Sequence, residues 1–227
     1  MNEKNENLIL KEVGVSATRG LIGGIPYIGT ALNEVVFELR GRLKQKRVNN
    51  FIIELKKYME TINGEEINFN YIESEEFGDI FESIIKRIIY NRSEEKLHRF
   101  KKVLVKQMAN PSNSDHIESF LDIISKINEK QIHILDIHKK IKSGELGSDD
   151  NLMDRNHIDA GHTTEISKCR KPEYYDLDKG TYQFYVQDLI SKALLADMGM
   201  NRLVVEPFQI LEITKLGLNF LKFIETV

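Results

Sequence analysis

Ser74-Glu75-Glu76-Phe77-Gly78-Asp79-Ile80-Phe81-Glu82-Ser83-Ile84-Ile85-Lys86-Arg87-Ile88-Ile89-Tyr90-Asn91 is the stretch whose spacing decides the fold class. Phe77, Ile80, Phe81, Ile84, Ile85, Ile88 and Ile89 recur at intervals of three and four, which places them on one stripe of an α-helix. Ser74 is an N-cap residue, and Glu75 and Glu76 sit in the first turn, where the helix dipole favours negative charge. Asn91 closes the segment. A helix with so wide an apolar stripe needs partners, and the neighbouring sequence supplies them.

On the C-terminal side, Ser93 followed by Glu94, Glu95 and Lys96 opens a second helix that reaches about Met108 through Leu97, Phe100, Val103 and Leu104. Asn110-Pro111 breaks it. Ser114 or Asp115 then caps a long helix with Ile117, Phe120, Leu121, Ile124, Ile127, Gln131, Ile134, Leu135 and His138 on one face, stopped by Gly144. On the N-terminal side a helix is expected from about Tyr27 to Ile62, with Asn63-Gly64 at its end. Between the two, Glu65 to Glu73 reads as a short acidic loop or, from the alternation of Ile67, Phe69 and Tyr71, an extended piece.

Charge alternates between these elements. Residues 63–91 carry two bases and seven acids, whereas residues 92–110 carry six bases and two acids. Opposite net signs on neighbouring helices help specify their pairing, although single surface pairs add little. The middle of the Tyr27–Ile62 helix carries Arg40, Arg42, Lys44, Lys46 and Arg47 with no acid among them. Such a run is commonly a solvated helix face. The alternative is a contact for anionic lipid headgroups or another anionic partner, to which each basic residue adds about 1 kcal/mol.

The segment leading into this helix, Arg19-Gly20-Leu21-Ile22-Gly23-Gly24-Ile25-Pro26-Tyr27-Ile28-Gly29, departs most from ordinary soluble composition. Leu21 to Asn33 holds no charge. Ser16, Gly20 and Gly24 recur at a four-residue spacing that lets another backbone come close. Gly23-Gly24 weakens the preceding helix, and Pro26 suits the first turn of the next. The uncharged length falls short of the roughly 20 residues of a spanning helix. The acidic start (Glu3, Glu6) lacks the basic n-region of a signal peptide. Two readings remain: a tight helical hairpin inside the bundle, or an arm that inserts in a membrane or self-assembles through Ser16, Gly20, Gly23, Gly24, Pro26 and Gly29.

Residues 143–163 have no periodicity and read as a linker or long loop. Beyond it, Asp178 caps a helix expected from about Lys179 to Met198, with Gly199 as its stop. Leu203-Val204-Val205 and Ile210-Leu211-Glu212-Ile213 read as two short strands around Glu206-Pro207, and Thr214 caps a final helix. Helix, strand, turn, strand and the run Ile213-Thr214-Lys215-Leu216-Gly217 resemble the end of a winged-helix domain, whose second wing strand commonly enters a Leu/Ile-Thr-x-x-Gly helix start. That resemblance concerns fold, since winged helices bind both DNA and proteins. Residues 164–227 hold eight bases and nine acids. In the recognition region, Lys179, Lys192 and Arg202 face Asp178, Asp188 and Asp197. Phosphate neutralisation would be weak, so protein docking is expected over nucleic acid.

No catalytic residues, cofactor site or metal site is expected. There is no GxxxxGK[ST] loop, GxGxxG turn, GxSxG elbow or HExxH helix. His157, His162 and Cys169, with Asp154 and Asp159 nearby, match no standard zinc spacing. His133 and His138 are five apart and do not share a helix face. The single cysteine among 227 residues suits a reducing compartment. A hydrophobic fraction of 41%, 30% charged residues and a net charge of −3 describe a soluble chain that is not a global nucleic-acid binder.

The expected architecture is mainly α: a helical bundle of about four long helices with an N-terminal helical arm over residues 1–142, a linker over 143–163, and a small winged-helix-like α+β domain over 164–227. The glycine-rich arm leading into a bundle, over about residues 15–142, resembles the helical domains of bacterial and fungal cell-death and immunity proteins, the Bell and HeLo-like class. That resemblance implies membrane targeting or permeabilisation on activation. It also implies an effector or adaptor in bacterial antiphage defence; the chain is expected to be non-enzymatic and cytoplasmic, peripheral at the inner membrane. The expected partners are an anionic membrane and either a protein partner or further copies of the chain.

Overall fold

The computed structural model describes residues 42–59, 67–111, 114–146, 171–199, 207–208 and 210–225. The chain is mainly helical, with helical-bundle character and one two-stranded antiparallel sheet. It divides into two compact units, the first running to Lys126 and the second starting at Ile127.

The first unit contains α1 (Arg42–Met59), the single turn α2 (Phe69–Ile72), α3 (Glu75–Tyr90), α4 (Glu94–Ala109) and α5 (Ser114–Lys126). α3 is its axis and packs against α1, α2, α4 and α5. All seven apolar residues of its stripe are buried. Each such side chain contributes roughly 1.5–3 kcal/mol relative to exposure. Val48, Phe51 and Leu55 of α1, Phe100, Val103 and Leu104 of α4, and Ile117, Leu121 and Ile124 of α5 complete this core. The caps fall where the sequence puts them: the Ser74 hydroxyl accepts from Phe77 N at 3.3 Å and that of Ser93 from Lys96 N at 3.2 Å.

The Ile67–Tyr71 alternation does not form an extended piece. Asn68 accepts from Tyr71 N at 3.1 Å, which closes a helical turn, and its own N–H donates to the Met108 carbonyl at 2.8 Å. An Asn side chain that captures a local N–H outcompetes strand pairing where no partner strand is at hand.

The second unit contains α6 (Glu129–Ser143), a 3₁₀ turn (Pro172–Tyr175), α7 (Lys179–Ser191), β1 (Leu195–Asp197), β2 (Leu211–Ile213) and α8 (Lys215–Glu225). The expected long helix through residues 115–143 is two helices, and the second belongs with the C-terminal elements: α6 packs against β2, α7 and α8. The break is a capping box. Asn128 Oδ1 accepts from Gln131 N and Gln131 Oε1 accepts from Asn128 N, both at 3.0 Å. These two bonds satisfy donors that a continuous helix would have satisfied internally. The Nε2 of buried Gln131 donates to Asp188 on α7 at 2.7 Å.

α7 stops at Ser191, before the expected Met198. Ala193 N donates to the Ile190 carbonyl at 2.8 Å and Leu194 N to that of Leu189 at 3.0 Å, with Ala193 at φ 55°. This is a Schellman turn built on alanine in place of the usual glycine. It releases Leu195–Asp197 as a strand, paired with β2 in the register Leu195 to Ile213 and Asp197 to Leu211. The expected strand at Leu203–Val205 lies outside the described residues, as do the glycine-rich arm and most of the 143–163 linker.

Thr214 fixes the start of α8. Its N–H donates to the Leu194 carbonyl at 3.1 Å, its hydroxyl to the Ala193 carbonyl at 2.6 Å, and the same hydroxyl accepts from Gly217 N at 2.9 Å. Gly217 is required by this proximity: a Cβ there would stand 2.3 Å from the Leu194 oxygen. Gly217→Ala is expected to destabilise the protein by about 1–3 kcal/mol, as overpacking against backbone does. Ala193→Gly should stabilise it by about 0.5–1 kcal/mol by relieving the left-handed alanine. Urea denaturation followed by circular dichroism checks both signs.

Candidate functional site

The described part of the basic run occupies the first turns of α1. Arg42 opens the helix. Arg47 Nη1 donates to the Ile89 carbonyl at 2.6 Å, at the end of α3. The last carbonyls of a helix lack intrahelical partners and carry the negative end of its dipole, so a guanidinium satisfies both demands. Lys44 Nζ lies 4.7 Å from the centroid of the Tyr90 ring, a cation–π contact one residue further on. Lys46 is exposed. Arg40 and the arm residues Ser16, Gly20, Gly23, Gly24, Pro26 and Gly29 lie outside the described residues.

Apolar groups accompany these cations. Leu43 is 71% exposed, Ile53 50% and Tyr90 74%. The structure therefore gathers Leu43, Lys44, Lys46, Arg47 and Tyr90 where α1 begins and α3 ends. Tyr90 was not singled out by its sequence context. It follows the last buried residue of the α3 stripe, and only the packing of α1 brings it to the basic run.

Further along α1, Glu54 accepts from Lys57 at 3.2 Å and meets Lys101 of α4 at 3.8 Å. The hydrogen bond from Lys57, then the charges of Lys57 and Lys101, hold its carboxyl below the usual range. Arg87 joins α3 to α5 by reaching Glu118 at 3.0 Å and Asp122 at 2.6 Å.

Among the described residues no group of three or more His, Cys, Asp or Glu side chains is placed to hold a metal ion. His133 packs edge-on to Tyr175 at 5.6 Å between centroids, and His138 is buried. His157, His162 and Cys169 fall outside the described residues. Burial, then the charge of Glu76, pushes the Tyr71 phenol up to about 12, so it stays protonated at neutral pH. No helix among the described residues is long and apolar enough to cross a membrane.

In the second unit, Asp178, Asp188, Lys192 and Asp197 serve the fold. Asp178 caps α7 through Thr181 N at 3.0 Å. Asp188 binds Gln131 and Lys192. Asp197 accepts from Gly199 N and Phe208 N, both at 2.9 Å, and so pins the connection between the strands. Among its large apolar residues, α7 exposes Phe184, 67% accessible.

No family model, no curated protein and no solved structure matches the chain. The residues themselves must therefore carry the functional reading. If Arg47 is an internal cap, Arg47→Met should cost about 1.5–3 kcal/mol, as loss of a charged hydrogen bond to buried backbone does. Lys46→Met should stay within about 0.5 kcal/mol, as exposed substitutions do. Equal effects in urea denaturation would contradict this assignment.

Proposed function

We propose that the protein is a non-enzymatic helical effector that associates with anionic membrane surfaces and acts in bacterial antiphage defence. The observation that carries the membrane reading is the start of α1, where exposed Leu43 stands among Lys44, Lys46 and the exposed Tyr90. Cations draw such a surface to anionic headgroups, while apolar and aromatic side chains suit the boundary with the acyl chains. The defence setting is suggested by the resemblance of the glycine-rich arm and bundle to Bell and HeLo-like domains. On this reading the arm, which lies N-terminal to α1 in the sequence, is the segment that inserts or assembles.

The second unit is read as a winged-helix variant that docks a protein. The Thr214–Gly217 helix start beside the end of β2 supports the fold reading. Exposed Phe184, an apolar side chain to which a phosphate backbone offers nothing, supports protein over nucleic acid. An adaptor that works through this unit alone is the second reading. It expects Phe184→Asp to disrupt a soluble complex with the product of a neighbouring gene while leaving vesicle binding unchanged.

The purified protein is expected to sediment with phosphatidylglycerol-containing vesicles and to release them as salt rises. Lys46→Gln should weaken binding about fivefold, the equivalent of roughly 1 kcal/mol. Leakage of entrapped dye should require the arm and fail for Gly24→Glu. Absence of binding at low salt, together with intact cellular toxicity of Gly24→Glu, would sink the membrane reading.

A further inference from the structure

The fold brings together two cationic segments that lie far apart in the sequence. Residues 42–59, which form α1, carry six bases and one acid. Residues 92–110, which contain α4, carry six bases and two acids. Arg47 meets the end of α3, from which the chain passes through Asn91–Ser93 into α4. Some two turns further along α1, Glu54 meets Lys101, some two turns into α4. The two helices thus run alongside each other in the same direction.

Lys46, Ile53 and Lys57 point outward on α1, and His98 is exposed on α4 with half-buried Lys102 one turn on. Of the three acids on these two helices, Glu94 stands exposed in the first turn of α4, one turn before His98, and the other two have partners. Glu54 lies between Lys57 and Lys101, and Glu95 accepts from the Ser93 hydroxyl at 2.6 Å. Burial, then the charges of Lys101, Lys102 and Arg99, hold the His98 imidazole below its ordinary value.

We propose that α1 and α4 form one composite cationic face that lies against an anionic lipid surface, with His98 and Lys102 contacting headgroups alongside Lys46 and Lys57. This extends the contact beyond the start of α1 and rests on the membrane reading above. Lipid is favoured over a nucleic-acid backbone because Leu43 and Ile53 stand exposed among the cations. A phosphate backbone offers such side chains nothing, whereas the headgroup boundary of a bilayer takes them up. A face of this kind sets the orientation of the first unit on the bilayer, with both helices lying in the plane of the surface.

The test compares the full chain with His98→Glu/Lys102→Glu and with Lys126→Glu, a charge reversal at the end of α5. Binding is measured to phosphatidylglycerol/phosphatidylcholine vesicles and to phosphatidylcholine alone, across a salt series. The double variant should bind the anionic vesicles at least about tenfold more weakly and with a shallower salt dependence. Lys126→Glu should change binding less than twofold. If the double variant melts early, His98→Gln/Lys102→Gln serves instead, with a loss of about fivefold. Wild-type protein that ignores anionic vesicles sinks the membrane reading and this face with it. Wild-type binding that the α4 variants leave untouched sinks the composite face alone and confines the contact to the start of α1. Tighter binding to a DNA duplex than to vesicles, lost in the double variant, overturns lipid as the occupant.

Discussion

Burial of the α3 stripe is the constraint from which the rest of the first unit follows. Seven large apolar side chains on one sixteen-residue helix cannot be covered by a single neighbour, and α3 accordingly packs against every other described helix of its unit. A helix so enclosed must have its end groups satisfied from within the fold. Ser74 does this at the N-terminus. At the C-terminus the backbone carbonyl of Ile89 takes the Arg47 guanidinium. The acids of α3 (Glu75, Glu76, Asp79, Glu82) keep to the half nearest its N-terminus, where the dipole favours them. The compensating cations sit on α1 and α4, and the unit becomes electrically polarised as a result of how its core is built.

The second unit depends on a different constraint, a close approach of backbones. The Leu194 carbonyl receives the Thr214 N–H and leaves no room for a side chain at position 217. That approach needs the chain to leave α7 abruptly, which the Schellman turn at Ala193 achieves, and to start α8 directly after β2, which Thr214 achieves. α6 then packs across the product. Lys142 Nζ donates to the Ile213 carbonyl at 3.1 Å and meets Glu212 at 3.0 Å, so β2 is tied to α6 as well as to β1. Tyr175 stacks on Tyr182 with centroids 5.6 Å apart and closes the side next to α7.

What could be read from the sequence was local. Ser74, Ser93, Asp178, Thr214 and Gly144 mark helix ends because their side chains, or in glycine the lack of one, act within three or four residues. The apolar stripe of α3 was equally legible. The break at Asn128 was hidden because Ile124, Ile127, Ile134 and Leu135 keep helical spacing across it; the signal that would have found it is Asn-x-x-Gln. The end of α7 was hidden because alanine does not announce a left-handed turn, and β1, only three residues long, shows no alternation. At the candidate site the cations were legible one by one. Their surroundings were not, since Arg47 and Ile89 stand 42 positions apart and meet only through packing.

That last point bears on how basic residues are read. In this chain several cations that a composition count would assign to a partner are engaged with backbone: Arg47 with Ile89, Lys96 with Ser125, Lys130 with Tyr175 and Lys142 with Ile213. Each answers a carbonyl the fold leaves unpaired, and each is explained without any ligand. Lys46 and Lys57 on α1 and Lys102 on α4 differ, because packing assigns them no such carbonyl among the bonds that hold the core together. Selection for stability alone would be indifferent to their sign, or would favour acids there, since reversing one of two adjacent cationic helices relieves repulsion between them. On the membrane reading proposed above, an external anionic surface would offset that repulsion.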